Sequence, residues 1–109
     1  MNVGVRIIEP TGILDGLKGD QLRQQVDAAI AANIQILLID LSNITFVDSS
    51  GLGALVSVLK KTRAASCEMY VCSVNDQVRM LFELTSMDQV FNILPSRAQF
   101  ETQVLPSAS

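Results

Sequence analysis

The sequence contains no histidine among its 109 residues. This absence excludes histidine general acid–base catalysis, phosphohistidine relays and histidine metal sites. Charged residues are also scarce, at 17%, whereas hydrophobic residues make up 49% of the chain. This balance excludes a disordered chain and favours a buried sheet, and the length suits one domain with a single core.

Positively charged residues are fewer than negatively charged ones, with 8 Lys and Arg against 11 Asp and Glu. The formal net charge is −3 and the sequence pI is near 4.7. Binding to nucleic acid or to an anionic membrane requires a basic patch, so neither is expected as a partner. Basic protein partners remain compatible with this charge.

Only two cysteines are present, Cys67 and Cys72. Both fall on one predicted strand, five positions apart, which places them on opposite faces and about 16 Å apart along it. They therefore cannot pair with each other. No basic and apolar leader precedes the predicted fold, and no apolar run is long enough for a bilayer. The expectation is a reduced, cytoplasmic protein.

Residues 36–61 form the stretch around which the other predicted elements are arranged. Ile36–Asp40 is an apolar, β-rich run that ends at the aspartate, as is typical of a strand covered on both faces. A crossing segment follows, and then apolar residues recur at helical spacing, at Leu52, Leu55, Val56 and Leu59. The pattern predicts a helix from near Gly51 to residue 64, with Ser49 or Ser50 as its N-cap.

The remaining pattern alternates strands with helices. An edge hairpin is expected first, and the elements after it are a helix, the central strand and helix, a further strand and helix, a last strand and a short helix. The hairpin is predicted at residues 3–8 and 13–14. A helix follows at 21–32, with Asn33 as its C-terminal stop. The later ranges are 36–40, 51–64, 67–73, a helix capped by Asn75 or Asp76, 90–94 and 95–103. Right-handed crossovers then give an α/β domain over residues 1–104, with a small, mixed, mostly parallel sheet flanked by about four α-helices. Residues 105–109 are expected to form a flexible tail.

The hexapeptide Asp48-Ser49-Ser50-Gly51-Leu52-Gly53 is similar to the signature of STAS domains, particularly the bacterial anti-sigma factor antagonists. Residues 12–15, Gly-Ile-Leu-Asp, resemble the early turn of that family, and residues 72–82 resemble its later strand and helix. The resemblance spans residues 5 to 100 or so. It departs at residues 16–19, where the family more often has Ser, Thr or Asn ahead of the first long helix.

The resemblance implies a phosphorylation-switched binding module. Ser49, which directly follows the aspartate, corresponds to the serine that a partner anti-sigma factor with kinase activity phosphorylates, and Ser50 is the second choice. A serine phosphatase would reset the switch, and the chain itself would be a monomer or weak dimer. The expected partner-binding residues are Asp48, Ser50, Gly51, Leu52, Gly53, Asn75, Asp76 and Arg79. A STAS scaffold subunit of a stress-signalling or transport complex, without phosphorylation, is the alternative.

The residues of the serine segment and its neighbours also allow other interpretations. A serine N-cap after a strand and loop is common for purely structural reasons. Phe46 is either a core plug or a contact beside the serines, and its size favours the plug. Gly51 and Gly53 lack the third glycine of a dinucleotide fingerprint and the lysine of a P-loop. Asp40 lacks the acidic pair of a receiver domain. No enzyme activity, metal or cofactor is therefore expected.

Overall fold

A computed structural model describes residues 4–108. The element order is β1 (Val5–Ile8), β2 (Gly12–Leu14), α1 (Gly16–Ala31), β3 (Ile36–Asp40), β4 (Ile44–Val47), α2 (Ser49–Ala64), β5 (Glu68–Cys72), α3 (Asp76–Leu84), a 3₁₀ turn (Met87–Gln89), β6 (Asn92–Leu94), α4 (Arg97–Gln103) and α5 (Leu105–Ala108). The α/β class and the mostly parallel pairing predicted from the sequence are confirmed.

The strands form two separate sheets. One has four strands in the order β1-β3-β5-β6, and the other pairs β2 with β4. All of these pairings are parallel. The predicted N-terminal hairpin is therefore wrong, because β1 and β2 join different sheets. This arrangement allows Ile8 and Leu14 to be buried in the core. Part of the predicted first strand, Val3, lies outside the described residues.

Hydrophobic side chains cover both faces of the four-stranded sheet. On one face, Leu37 and Ile39 belong to the core cluster shared with α1, α2 and α3. On the other face, Ile36 and Leu38 pack in a second cluster around Phe100 of α4. All five residues of β3 are buried, which confirms the prediction of a strand covered on both sides.

The first helix is longer than predicted. α1 begins at Gly16 rather than near residue 21, because Asp15 serves as its N-cap and accepts a hydrogen bond from the Lys18 N–H at 3.0 Å. Asp15, the last residue of the family-like turn, therefore caps the helix, and no Ser, Thr or Asn is needed at residues 16–19. The predicted stop at Asn33 is confirmed, since Asn33 adopts a left-handed φ of 60° just after the helix.

The buried face of α2 is rotated from the predicted one. Leu55 and Leu59 are buried as expected, but Leu52 and Val56 are only half-buried. The helix packs against α1 as well as the sheets, so the buried arc also includes Val58 and the small or polar residues Gly51, Ala54 and Thr62. Hydrophobic spacing alone does not mark such positions.

The later elements differ only at their ends. Asn75 is the N-cap of α3, and its side chain accepts a hydrogen bond from the Val78 N–H at 2.9 Å. The last strand starts at Asn92, after the 3₁₀ turn, instead of at Val90. Residues 105–108 form a helical turn where a flexible tail is expected, and Leu105 packs against the second core cluster. Ser109 lies outside the described residues, and the domain boundary stays a prediction.

The two cysteines occupy opposite sides of the sheet. Cys67 lies in the core cluster under the helices, Cys72 lies in the cluster around Phe100, and both are free thiols. The prediction that they cannot pair is confirmed. Among residues 4–108, no helix combines the length and hydropathy needed to cross a bilayer.

A buried carboxylate ties α4 to the end of β3. Asp40 is 4% exposed and accepts hydrogen bonds from the Ser42 N–H at 2.9 Å and from Arg97 Nε at 3.0 Å. Arg97 also pairs with Glu9, which accepts a hydrogen bond from Asn43. Burial by itself raises the pKa of Asp40, but the hydrogen bonds from Ser42 and the charge of Arg97 outweigh it and hold the pKa below its ordinary value of 3.8.

Replacing this carboxylate should change how stability depends on pH. The lowered pKa of Asp40 means that its stabilising contribution is present above pH 3.8 and is lost as the pH falls through the folded-state value. We expect Asp40→Asn to lower the free energy of unfolding at pH 7. The difference in free energy of unfolding between the variant and wild type should become smaller below pH 3.8. Urea unfolding at several pH values measures this difference.

Asp88→Asn is the matched control, because Asp88 is an exposed carboxylate. It should leave the free energy of unfolding close to wild type across the same pH range. A gap between Asp40→Asn and wild type that stays constant down to acid pH would contradict the assigned role of Asp40.

Candidate functional site

Only Asp48 separates β4 from α2, so Ser49 and Ser50 follow the end of the strand directly and form the first residues of the helix. Asp48 is the N-cap of α2, and its side chain accepts a hydrogen bond from the Gly51 N–H at 2.8 Å. The predicted serine cap is therefore wrong, and the helix begins at Ser49 instead of near Gly51. An aspartate in the capping role leaves both serine side chains available for other interactions.

Ser49 and Ser50 are both exposed. In the described part of the chain, neither hydroxyl and neither backbone N–H takes part in a hydrogen bond. Free N–H groups at the first turn of a helix carry partial positive charge and favour a neighbouring anion. Both serine side chains are therefore open to solvent, at a helix start that favours an anion.

The two glycines of the first turn have different physical roles. A Cβ at Gly51 would lie 1.9 Å from the Leu14 carbonyl oxygen, so only glycine lets the helix start pack on the backbone of β2. At Gly53 nothing lies within 4 Å of such a Cβ, and the residue is exposed. Gly53 is therefore on the open surface, whereas Gly51 is buried and allows the start of α2 to pack against β2.

The starts of α1 and α2 lie side by side. A Cβ at Gly19 would lie 2.7 Å from the Ala54 Cβ, and one at Gly16 would lie 3.8 Å from the Ser50 Cβ. Both helices begin immediately after the paired strands β2 and β4, and both carry an aspartate cap. Two helix N-termini therefore border the same part of the surface.

Three exposed hydrophobic side chains lie on the strands and the helix start next to the serine segment, and we call them the apolar patch: Ile13, Leu17 and Phe46. Their exposed fractions are 52%, 69% and 45%. Ile13 and Phe46 are register partners in the β2–β4 pair, and Leu17 lies in the first turn of α1. Phe46 is therefore not a core plug, and the alternative of a contact beside the serine site is the one that the structure supports.

The start of α3 lies against the outer edge of β4. The Asn75 side-chain amide donates hydrogen bonds to the carbonyls of Ile44 and Thr45, at 3.1 and 3.2 Å. Asp76 and Arg79 are exposed and form an ion pair at 3.1 Å. The two segments expected to bind a partner, residues 48–53 and 75–79, are thus brought to the same edge of the molecule.

Sequence reasoning missed one residue at this edge. Gln77 forms two hydrogen bonds with the backbone of Val47, two positions before Ser49. No local pattern marks it, because a glutamine in the first turn of a helix is ordinary; only the packing of α3 against β4 gives it a partner. Within the described residues, no group of three potential metal ligands occurs.

Comparison with known proteins identifies the class. Residues 2–100 match the STAS domain family, and the chain belongs to that family. The anti-sigma F factor antagonist of Paenibacillus polymyxa is 36% identical over 93 residues, which are 84% of this chain and 77% of that protein.

Solved structures share the fold. An anti-sigma factor antagonist from Mycobacterium paratuberculosis has a TM-score of 0.80 at 28% identity, covering 93% of this chain and 86% of its own. The Bacillus cell fate determinant SpoIIAA in its phosphorylated form has a TM-score of 0.71 at 16% identity, covering 94% and 93% of the two chains. Both likenesses confirm the STAS architecture that the hexapeptide predicted.

The two glycines provide a direct test of the site's packing. Gly51→Ala should lower the free energy of unfolding by about 2 kcal/mol or more, because its methyl group would clash with the backbone of Leu14. Gly53→Ala should be neutral or stabilising by up to about 1 kcal/mol, since alanine favours a helix and has open space there. Urea unfolding measures both, and equal effects would show that the site is not packed as described.

Proposed function

We propose that this chain is an anti-sigma factor antagonist that acts as a phosphorylation-switched binding module. With Ser49 free, it sequesters an anti-sigma factor that also has serine kinase activity. With Ser49 phosphorylated, it releases that partner, and a serine phosphatase restores the free form. In this proposal the chain carries out no chemistry of its own and acts in the cytoplasm.

One observation carries the proposal: Ser49 has an exposed hydroxyl without a hydrogen-bond partner in the described chain, at the start of a helix capped by another residue. A serine that served only as a cap would accept a hydrogen bond from a backbone N–H of the first helical turn. The names of the relatives add support, because the protein from Paenibacillus polymyxa is an anti-sigma F factor antagonist. SpoIIAA, which shares the fold, exists in a phosphorylated form.

The chemistry requires a partner that holds ATP. The Ser49 oxygen attacks the γ-phosphorus, a new P–O bond forms, and the bond to the ADP oxygen breaks. The hydroxyl proton passes to a base of the kinase or to solvent, and ADP leaves. Within the described residues the chain offers no base in contact with the Ser49 hydroxyl, so catalysis is assigned to the partner. The phosphatase later transfers the phosphoryl group to water.

The release step is electrostatic. Phosphorylation adds about −1.5 to −2 charges directly beside the Asp48 carboxylate. The free N–H groups of Ser49 and Ser50 stabilise part of that charge within the domain, whereas a partner surface closing over it would have to desolvate it. A difference of about 2.7 kcal/mol in binding free energy weakens the complex about a hundredfold. One phosphoryl group in an interface is sufficient for a difference of this size.

The apolar patch defines how the partner docks. A kinase that reaches Ser49 with a footprint of about 800 Å² also covers neighbouring residues. These include Phe46, three positions before Ser49, and Leu17, in the adjacent first turn of α1. A few side chains near the centre of an interface, often aromatic ones, supply most of its binding free energy, and the surrounding contacts exclude water. We therefore assign docking to the patch and to the starts of α2 and α3, and the on-off control to Ser49.

Two variants separate the loss of the hydroxyl from the gain of a charge. Ser49→Ala should bind the anti-sigma partner as wild type does and should accept no phosphate, because Ser49 is not the N-cap and its loss leaves the helix start intact. Ser49→Asp should bind at least several-fold more weakly, since it places a carboxylate beside Asp48. Titration calorimetry measures affinity, and mass spectrometry after incubation with kinase and ATP counts phosphoryl groups.

Ser50→Ala is the matched control and should still accept one phosphoryl group. Equal phosphorylation of wild type and Ser49→Ala, with the label on Ser50, would show that the site is misassigned. If no variant accepts phosphate from any captured kinase, the scaffold alternative is the better explanation.

The docking role of the patch is tested at its aromatic residue. Phe46→Thr should raise the Kd for the partner about tenfold, equivalent to about 1.4 kcal/mol, while the thermal midpoint stays within a few degrees because the ring is already 45% exposed. Leu84→Thr is the control: Leu84 is 78% exposed at the far end of α3 and should leave affinity unchanged. Equal losses for both variants would argue against a localised docking surface.

A further inference from the structure

Gln77 holds the strand that leads to Ser49. The Val47 N–H donates a hydrogen bond to Gln77 Oε1 at 3.0 Å, and Gln77 Nε2 donates one to the Val47 carbonyl at 3.1 Å. A single side-chain amide thus forms hydrogen bonds with both the N–H and the carbonyl of Val47, as the backbone of a neighbouring strand would. We call this pair of hydrogen bonds the Gln77 clamp.

The clamp replaces a missing strand. β4 pairs with β2 along one edge only, and the Asp48 N–H continues that pairing by donating to the Leu14 carbonyl at 3.2 Å. The N–H and carbonyl of Val47 point to the opposite edge, where no further strand pairs with the sheet among residues 4–108. Val47 is 1% exposed, so without the clamp these two groups would be left unpaired in a buried position.

Asn75 fixes the helix from which the clamp extends. Its side-chain oxygen caps α3 by accepting from the Val78 N–H, and its nitrogen donates to the carbonyls of Ile44 and Thr45. The start of α3 is therefore bound to three of the four residues of β4, namely Ile44, Thr45 and Val47. Because Val47 is separated from Ser49 by Asp48 alone, the position of α3 determines where the serine is presented.

We infer that Gln77 is a positioning residue for Ser49, through which the start of α3 sets the orientation of the phosphoacceptor hydroxyl. The inference rests on the proposed function, since it concerns the phosphorylation of that serine. Phosphoryl transfer depends on the alignment of the attacking oxygen with the γ-phosphorus, so a small displacement of the strand slows the reaction. Gln77 itself transfers no proton and touches no reacting atom. Docking, by contrast, is assigned to the apolar patch and to exposed side chains at the starts of α2 and α3, whereas the side-chain oxygen and nitrogen of Gln77 are both bonded to Val47.

The test separates positioning from docking. Gln77→Met is close in size and removes both hydrogen bonds, so we expect kcat for phosphorylation of Ser49 to fall about tenfold while KM stays within about twofold. Gln77→Glu keeps only the acceptor for the Val47 N–H and should show a similar loss at neutral pH. The kinase is the one that the wild-type chain captures from its own cell, supplied with ATP.

A second readout needs no partner. In ¹⁵N relaxation measurements, the backbone order parameters of Asp48, Ser49 and Ser50 should fall from about 0.85 to below about 0.7 in Gln77→Met. Gln24→Met is the matched control, because Gln24 is exposed on α1 and makes no hydrogen bond through its side chain in the described chain. It should change neither the kinetics nor the order parameters.

The kinetic and relaxation results for Gln77→Met either support or contradict the positioning role of Gln77. An unchanged kcat in Gln77→Met, with wild-type order parameters, would overturn it. A raised KM with unchanged kcat would also overturn it, because Gln77 would then be a docking contact. A wild-type chain that accepts no phosphate would refute the proposed function and the phosphoacceptor role together. A phosphorylated wild type with an unaffected Gln77→Met would refute the clamp alone.

Discussion

The parallel pairing of β2 with β4 is the contact on which the geometry of the site depends. It brings the ends of two strands together, and each end continues within two residues into a helix. The close approach of Gly51 to the Leu14 backbone is possible because that position has no side chain. Since α1 and α2 start from neighbouring strand ends, their first turns must lie side by side, and Ser49 is displayed at their border.

The four-stranded sheet supplies the rigid support for this small second sheet. β3 is buried on both faces, and a parallel strand of this kind is stable only when helices cover both sides. The covering helix on the far face, α4, is held by the ion pair between Arg97 and the buried Asp40. That pair leaves the buried carboxylate hydrogen-bonded and charged, which is the condition under which a charge is tolerated in a protein interior.

Neighbouring residues share the tasks that one short segment must carry out for folding and, in the proposed function, for regulation. Asp48 caps the helix, Gly51 permits close packing, and Gln77 satisfies the free edge of β4. Because these residues carry the structural tasks, the hydroxyl of Ser49 is left without one. A group that contributes little to stability can be modified without unfolding the domain, which is what a phosphorylation switch requires.

The sequence by itself determined the elements whose signals are local: the apolar run of β3, the periodicity of the helices, the stop at Asn33 and the hexapeptide that indicates the family. Even there the predicted cap, Ser49 or Ser50, was one or two residues too late, because Asp and Ser are both good caps and only the backbone angles select among them. Tertiary structure alone decided that β1 and β2 enter different sheets and that Phe46 is exposed. It also decided that Gln77 reaches Val47, since these outcomes depend on contacts between residues distant in the chain, which carry no local pattern.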